Sequence, residues 1–224
     1  MKHIFFTLAL SAIISSTSFS AVEVDIPQLS QIQSGNIEET GSAEDFEFSK
    51  TEILDEVSLK SSISSELDDY GVLRFTVDAP KSKSGRSPMK GADLFEKMMK
   101  HHGSRVKGIA GVWVYGTNLQ MFRSALEKND DFSSSTLRAS YFAAATQTWT
   151  GMQGEKYGFT KVSSIEVTRN VYSETGEQFI ITYIATAASE IISAKTCDEV
   201  PLFPIPAEYL IGGEVSGVNV LFEK

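Results

Sequence analysis

The chain has 224 residues, 42% apolar and 22% charged, with 20 Lys and Arg against 29 Asp and Glu, a formal charge of −9. These proportions exclude a collagenous, fibrous-repeat or wholly disordered chain, and the acidic balance argues against non-specific binding of the whole protein to nucleic acid or to an anionic membrane. A single cysteine, Cys197, excludes an intrachain disulfide framework and any cysteine-cluster metal site.

At the start of the chain, Lys2 and His3 precede an apolar run, Ile4 to Ile14, and small residues that end Ser18-Phe19-Ser20-Ala21. The run is too short to span about 30 Å of hydrocarbon, so residues 1–21 read as a signal peptide cleaved near Ala21, which predicts export to the periplasm or the medium. No later segment reaches 18 consecutive apolar residues, so no membrane span is expected in the mature chain.

Residues 22–50 are rich in Ser, Gln and Glu, and residues 51–69 carry Ile53, Leu54, Val57, Ile63 and Leu67 at spacings that permit a weak amphipathic helix. Together, residues 22–70 read as a flexible acidic leader ahead of one domain, 71–224. Val72–Val77 alternates as a strand, and residues 80–87 form a polar loop. Ser87-Pro88 predicts a capped helix over 88–102, with Gly103 as its left-handed stop. Val112–Tyr115 has strand propensity. Thr117 or Asn118 can cap a helix through Leu119, Phe122 and Leu126, Ser135 a helix through Tyr141 and Ala144, and a short helix near 151–157 is expected to stop at Gly158. Lys161–Val171 and Gln178–Thr186 alternate around Ser173–Gly176 and predict a hairpin, and a last strand is expected over Val215–Phe222. Helices followed by an antiparallel sheet make the expected class α+β.

Charge is segregated. Residues 22–79 sum to −11, residues 80–161 to +7 and residues 162–224 to −6. The basic centre reads either as a solvated surface balanced inside the same fold or as a phosphate-binding face. No GxxxxGK(S/T), GxGxxG, HExxH or GxSxG motif is present, and nothing points to a metal or a cofactor.

The candidate catalytic groups are His101, His102, Arg105 and Glu155. A histidine titrates near neutrality, an arginine pairs bidentately with phosphate, and Glu155 can act as a base, which together suit acid–base work on a phosphodiester. The competing reading of the His-Arg cluster is cationic capping of a helix C-terminus. Arg123, Lys107, Asn118, Trp113 and Trp149 are candidate ligand-binding residues by charge, hydrogen bonding or stacking. Tryptophans also serve as buried anchors.

The runs Gly91–Met99, Gly108–Trp113, Gly116–Leu119, Ala143–Gly151 and Tyr157–Val162 resemble C-terminal domains of bacterial polymorphic toxins of the Rhs and contact-dependent-inhibition kind, over about residues 87–185. Many such tips are nucleases, so the resemblance implies a secreted toxin-like protein acting on nucleic acid, with a cognate inhibitor protein as partner. The alternative is a non-enzymatic secreted or periplasmic protein-binding module.

Overall fold

The computed structural model describes residues 35–128, 137–205, 209 and 212–224. The signal-peptide reading of residues 1–21, the first part of the leader and the Ser135 cap lie outside them. The described residues belong to one compact unit, Gln33–Lys224.

The chain begins with an antiparallel meander of β1 (Asn36–Gly41), β2 (Asp45–Leu54), β3 (Val57–Leu67) and β4 (Val72–Asp78). The sequence Asp-Phe-Glu-Phe in β2 alternates strictly and buries Phe46 and Phe48. Asp55 and Glu56, both at positive φ, make the two-residue turn that twists β2 into β3. Asp68 Oδ1 accepts the Tyr70 and Val72 N–H groups to shape the next turn. Gly71 completes it at φ 81°, where a Cβ would sit 2.7 Å from the Arg105 carbonyl oxygen.

A crossover through α1 (Gly91–His102) leads to β5 (Gly108–Trp113), which pairs parallel with β4 at Val72–Gly108 and Leu73–Ile109. Helix α1 starts three residues later than the Ser87-Pro88 pair predicts, because the Ser87 hydroxyl donates to the Met89 carbonyl. Gly103 stops it at φ 58° with its N–H on the Met99 carbonyl, as expected. Helices α2 (Gly116–Glu127), α3 (Leu137–Thr146) and α4 (Trp149–Glu155) follow, and Thr148 caps α4 through its hydroxyl.

The predicted hairpin is β6 (Lys161–Tyr172) and β7 (Gln178–Thr186), to which β8 (Glu190–Thr196) adds a third strand. The last strand, β9 (Glu214–Glu223), inserts between β5 and β6 and is antiparallel to both. The result is one nine-stranded sheet in the order β1-β2-β3-β4-β5-β9-β6-β7-β8. The free edge of β8 is met by the following segment, where Leu202 N–H donates to the Ala194 carbonyl.

This overturns the α+β expectation of helices preceding an antiparallel sheet. Four strands precede the helices, the sheet is mixed, and the helices are short. It also replaces the helix expected over 51–69 with β2 and β3, and places residues 36–67 of the supposed leader in the sheet. The serines that made this segment look coil-like occupy strand positions, with Ser61 and Ser65 turned inward.

The register puts most of the buried strand positions on one face, with Ser49 of β2 on the other. Phe46, Ser65 and Phe75 form one cross-strand row; Ile109, Phe222 and Val162 form another; Trp113, Val218, Val167 and Tyr183 form a third. Leu94, Phe95 and Met98 of α1, Phe122 of α2 and Tyr141 of α3 pack into that face. The opposite face exposes Val112 on the central strand β5, Ile184 and Ile191 at one end of the sheet, and charged and hydroxyl side chains at the other. No helix among the described residues is long and apolar enough to cross a membrane.

Candidate functional site

Of the candidate catalytic residues, His101, His102 and Arg105 do converge, at the C-terminal end of α1. They converge on the protein itself. His101 stacks on Phe46 with ring centroids 4.7 Å apart and places Nε2 2.8 Å from the Ser42 carbonyl oxygen. His102 is 1% exposed, with Nε2 2.9 Å from Ser65 Oγ. Arg105 donates Nε to the His102 carbonyl at 3.1 Å, Nη2 to the His101 carbonyl at 3.3 Å and Nη1 to the Ala43 carbonyl.

Burial pushes the His102 pKa down to about 4, and the positive charges possible on His101 and Arg105 act the same way. Its imidazole is therefore neutral at pH 7 and closed off from solvent. The cluster is a clasp between α1 and the β1–β2 turn, its three side chains engaged in internal contacts.

The remaining candidates scatter. Glu155 lies on α4, on the rim of a separate hollow of about 570 Å³ lined also by Thr146, Gln147, Met152 and Thr160. Asn118 bridges α2 to α4 by giving Nδ2–H to Thr150 Oγ1 at 2.9 Å and taking the Thr150 N–H at 3.0 Å. Arg123 binds the Val215 carbonyl through Nε at 2.8 Å and pairs with Glu214 at 2.5 Å. Trp113 is buried against Phe122, and Trp149 packs on Phe75 and Phe95. Lys107 anchors its segment by its backbone N–H, which donates to the Gly71 carbonyl, and leaves its side chain exposed. Asn118, Arg123, Trp113 and Trp149 thus hold the fold, and the structure does not gather them into a ligand site.

Part of the basic centre is balanced: Arg86 pairs with Asp55 of the β2–β3 turn at 2.7 Å, Lys97 with Glu39 of β1 at 3.5 Å and Lys100 with Glu96 of its own helix at 2.6 Å. Hydrogen bonds from Ser82 and Ser84, with the Arg86 guanidinium, hold the Asp55 carboxyl far below the usual carboxylate range. That ties the 80–87 loop to the β2–β3 turn.

A different feature occupies the helix-free face of β1–β4. Two cross-strand rows run parallel there: Thr40, Glu47, Ser64 and Thr76 in one, and Asp45, Glu66 and Arg74 in the other, extended by Ser42 of the turn. The row between them turns its side chains toward the helices, so a trough about 7 Å wide crosses about 14 Å of sheet. It encloses about 560 Å³.

Asp45 and Glu66 stand directly opposite each other on adjacent strands. Like charges in that relation destabilise a sheet. Arg74, beside Glu66, pairs with Asp68 at 2.9 Å, and among the described residues no base pairs with Asp45, Glu47 or Glu66. Sequence reasoning placed Thr40, Asp45, Glu47, Ser64 and Glu66 in a leader, while Arg74 and Thr76 fell in the predicted strand Val72–Val77. The strict alternation Asp45-Phe46-Glu47-Phe48 was the available signal.

No family model matches the chain, and no curated protein or solved structure does either, so the resemblance to polymorphic-toxin domains gains no support from known proteins.

Proposed function

We propose that this protein is a non-enzymatic binding module that holds a basic, extended segment of a partner protein in the trough of β1–β4. The observation that carries this reading is the Asp45–Glu66 pair. Two carboxylates face each other across adjacent strands with no ion-pair partner among the described residues, Arg74 opposite Glu66 being paired with Asp68, while Glu38, Glu39 and Asp55 a few residues away each have one. A cationic side chain laid between them removes the repulsion and gains the attraction, and the hydroxyls of Thr40, Ser64 and Thr76 can bond a peptide backbone.

The trough's length matches about four residues of extended chain. Export by residues 1–21 would place such a module, and its partner, in the periplasm or outside the cell. The toxin-like reading on nucleic acid draws no comparable support, because the His101, His102 and Arg105 side chains are spent on internal contacts.

The test is a fluorescence-anisotropy titration of the full chain with a labelled peptide of alternating Lys and Ser. Saturable, salt-sensitive binding that weakens at least tenfold in the double variant Glu47→Lys, Glu66→Lys is expected. Binding indifferent to that change overturns the reading. So does RNA or DNA cleavage by the wild-type chain that is lost on Arg105→Ala.

A further inference from the structure

The clasp at the end of α1 and the trough share residues. Gly41, Ser42, Asp45 and Ser65 line the trough. His101 holds the Ser42 carbonyl, Arg105 holds the Ala43 carbonyl and His102 is bonded to the Ser65 hydroxyl. The Ser42–Asp45 turn is also braced by the Ser42 hydroxyl accepting the Glu44 and Asp45 N–H groups, by the Ser42 N–H donating to the Asp45 carbonyl and by the Leu67 N–H donating to the Glu44 carbonyl. It lies so close to α1 that a Cβ on Gly41 would come 2.9 Å from His101 Cε1. Three side chains of one helix end thus share with β3 the positioning of this wall of the trough.

We propose that His102 is the pin of an acid-sensitive clasp, whose protonation releases the Ser42–Asp45 turn and so opens one wall of the trough. The surroundings supply the reason. His101 from α1 and Arg105 from the following turn face the His102 ring, and Asp45 from β2 is the one carboxylate acting on it; Lys97, a turn earlier on α1, is directed to Glu39. Phe46 packs edge-on at 6.5 Å and Nδ1 closes no hydrogen bond. A second proton on this buried ring would put positive charge beside a guanidinium, with a single carboxylate and the Ala43 backbone to answer it. The ring is accommodated once it reaches water, and it reaches water when the turn lifts.

The sign follows from the two proton affinities. The closed form binds the proton near pH 4 and the open form near the ordinary 6.5, so closure is favoured at neutral pH and weakens as pH falls from 6.5 toward 4. Between pH 7.5 and 5.0 the open fraction rises about 30-fold.

The consequence for partner binding rests on the docking reading, but the clasp is tested without any partner. Hydrogen exchange of the full chain, corrected for intrinsic rates, is followed over residues 36–48 at pH 7.5 and 5.0. The expected result is about 30-fold faster exchange of the Ser42–Asp45 turn at pH 5.0 in the wild type, with that difference lost in His102→Gln. An equal pH response in both proteins, or none in the wild type, overturns the proposal.

If His102→Gln fails to fold, an NMR titration of the wild type decides. Turn amides that shift with the His102 ring midpoint, well below 6.5, uphold the clasp. Amides that stay flat through that midpoint, or a midpoint near 6.5, overturn it. Either outcome leaves the Lys-Ser peptide titration free to succeed or fail on its own.

Discussion

The two ends of the sheet bury the same face with different side chains. In β6 and β7 the inward positions include Val162, Ile165, Val167 and Tyr183, which join the main core, and Val171, Phe179 and Ile181, which with Ala194 form a second cluster packed by Leu202, Ile205 and Tyr209. In β3 the inward positions include Ser61 and Ser65, and both hydroxyls are bonded, Ser61 to Ser87 and Ser65 to His102. The outward faces differ as well: Ile184, Ile191 and Thr182 at one end, Glu47, Glu66 and Thr76 at the other. One backbone pattern thus carries an apolar, self-sufficient half and a polar half whose packing depends on satisfied hydrogen bonds. The polar half is where a charged ligand has something to recognise.

The strongest challenge to this contrast is whether the halves are energetically one body. Phe95 is fully buried and packs on Phe75, Trp149 and Tyr157 at the polar end. Phe95→Ala is expected to cost about 3–5 kcal/mol. In single-tryptophan proteins, denaturation followed at Trp149 and at Trp113 should move together, since one sheet joins both. Separate transitions would make the halves independent.

A smaller effect sharpens the contrast from the apolar end. Tyr141 accepts the Arg169 Nε–H at 3.0 Å beneath α3. Tyr141→Phe should therefore cost about 1–3 kcal/mol by leaving a buried donor short of an acceptor, read as a lower denaturation midpoint. The smallest effect is of opposite sign. Glu66→Gln removes the like charge facing Asp45 and should stabilise the chain by about 0.2–1 kcal/mol in the same assay, while weakening the Lys-Ser peptide. A destabilised Glu66→Gln would show that the pair is not strained.

The same contrast explains what was legible in the sequence. Strands β4, β6, β7 and β9 announce themselves through β-branched and aromatic residues at period two, and the Ser-Glu-Thr-Gly turn fixes the hairpin. Strands β1 to β3 are rich in Ser and Glu, a composition that reads as coil, because hydrogen bonds and a few phenylalanines replace much of the aliphatic face. Tertiary context overrode local propensity there, and the trough went unseen with it. The His-Arg cluster was found correctly as a cluster. Its contacts were not legible because its partners, the carbonyls of Ser42 and Ala43 and the hydroxyl of Ser65, lie 37 to 62 residues away in sequence.

The position of β9 has a consequence for biosynthesis. Strands β5 and β6 never pair with each other, so the meander with its crossover and the three-stranded β6–β8 unit meet only through the strand that follows them all. A chain emerging from its amino end can shape each unit as it appears, but each keeps an unpaired inner edge until Glu214–Glu223 arrives. Such edges invite pairing with other chains. During synthesis and any passage across a membrane, that interval is when this sheet is most exposed to aggregation, and a holding chaperone would have most to protect there.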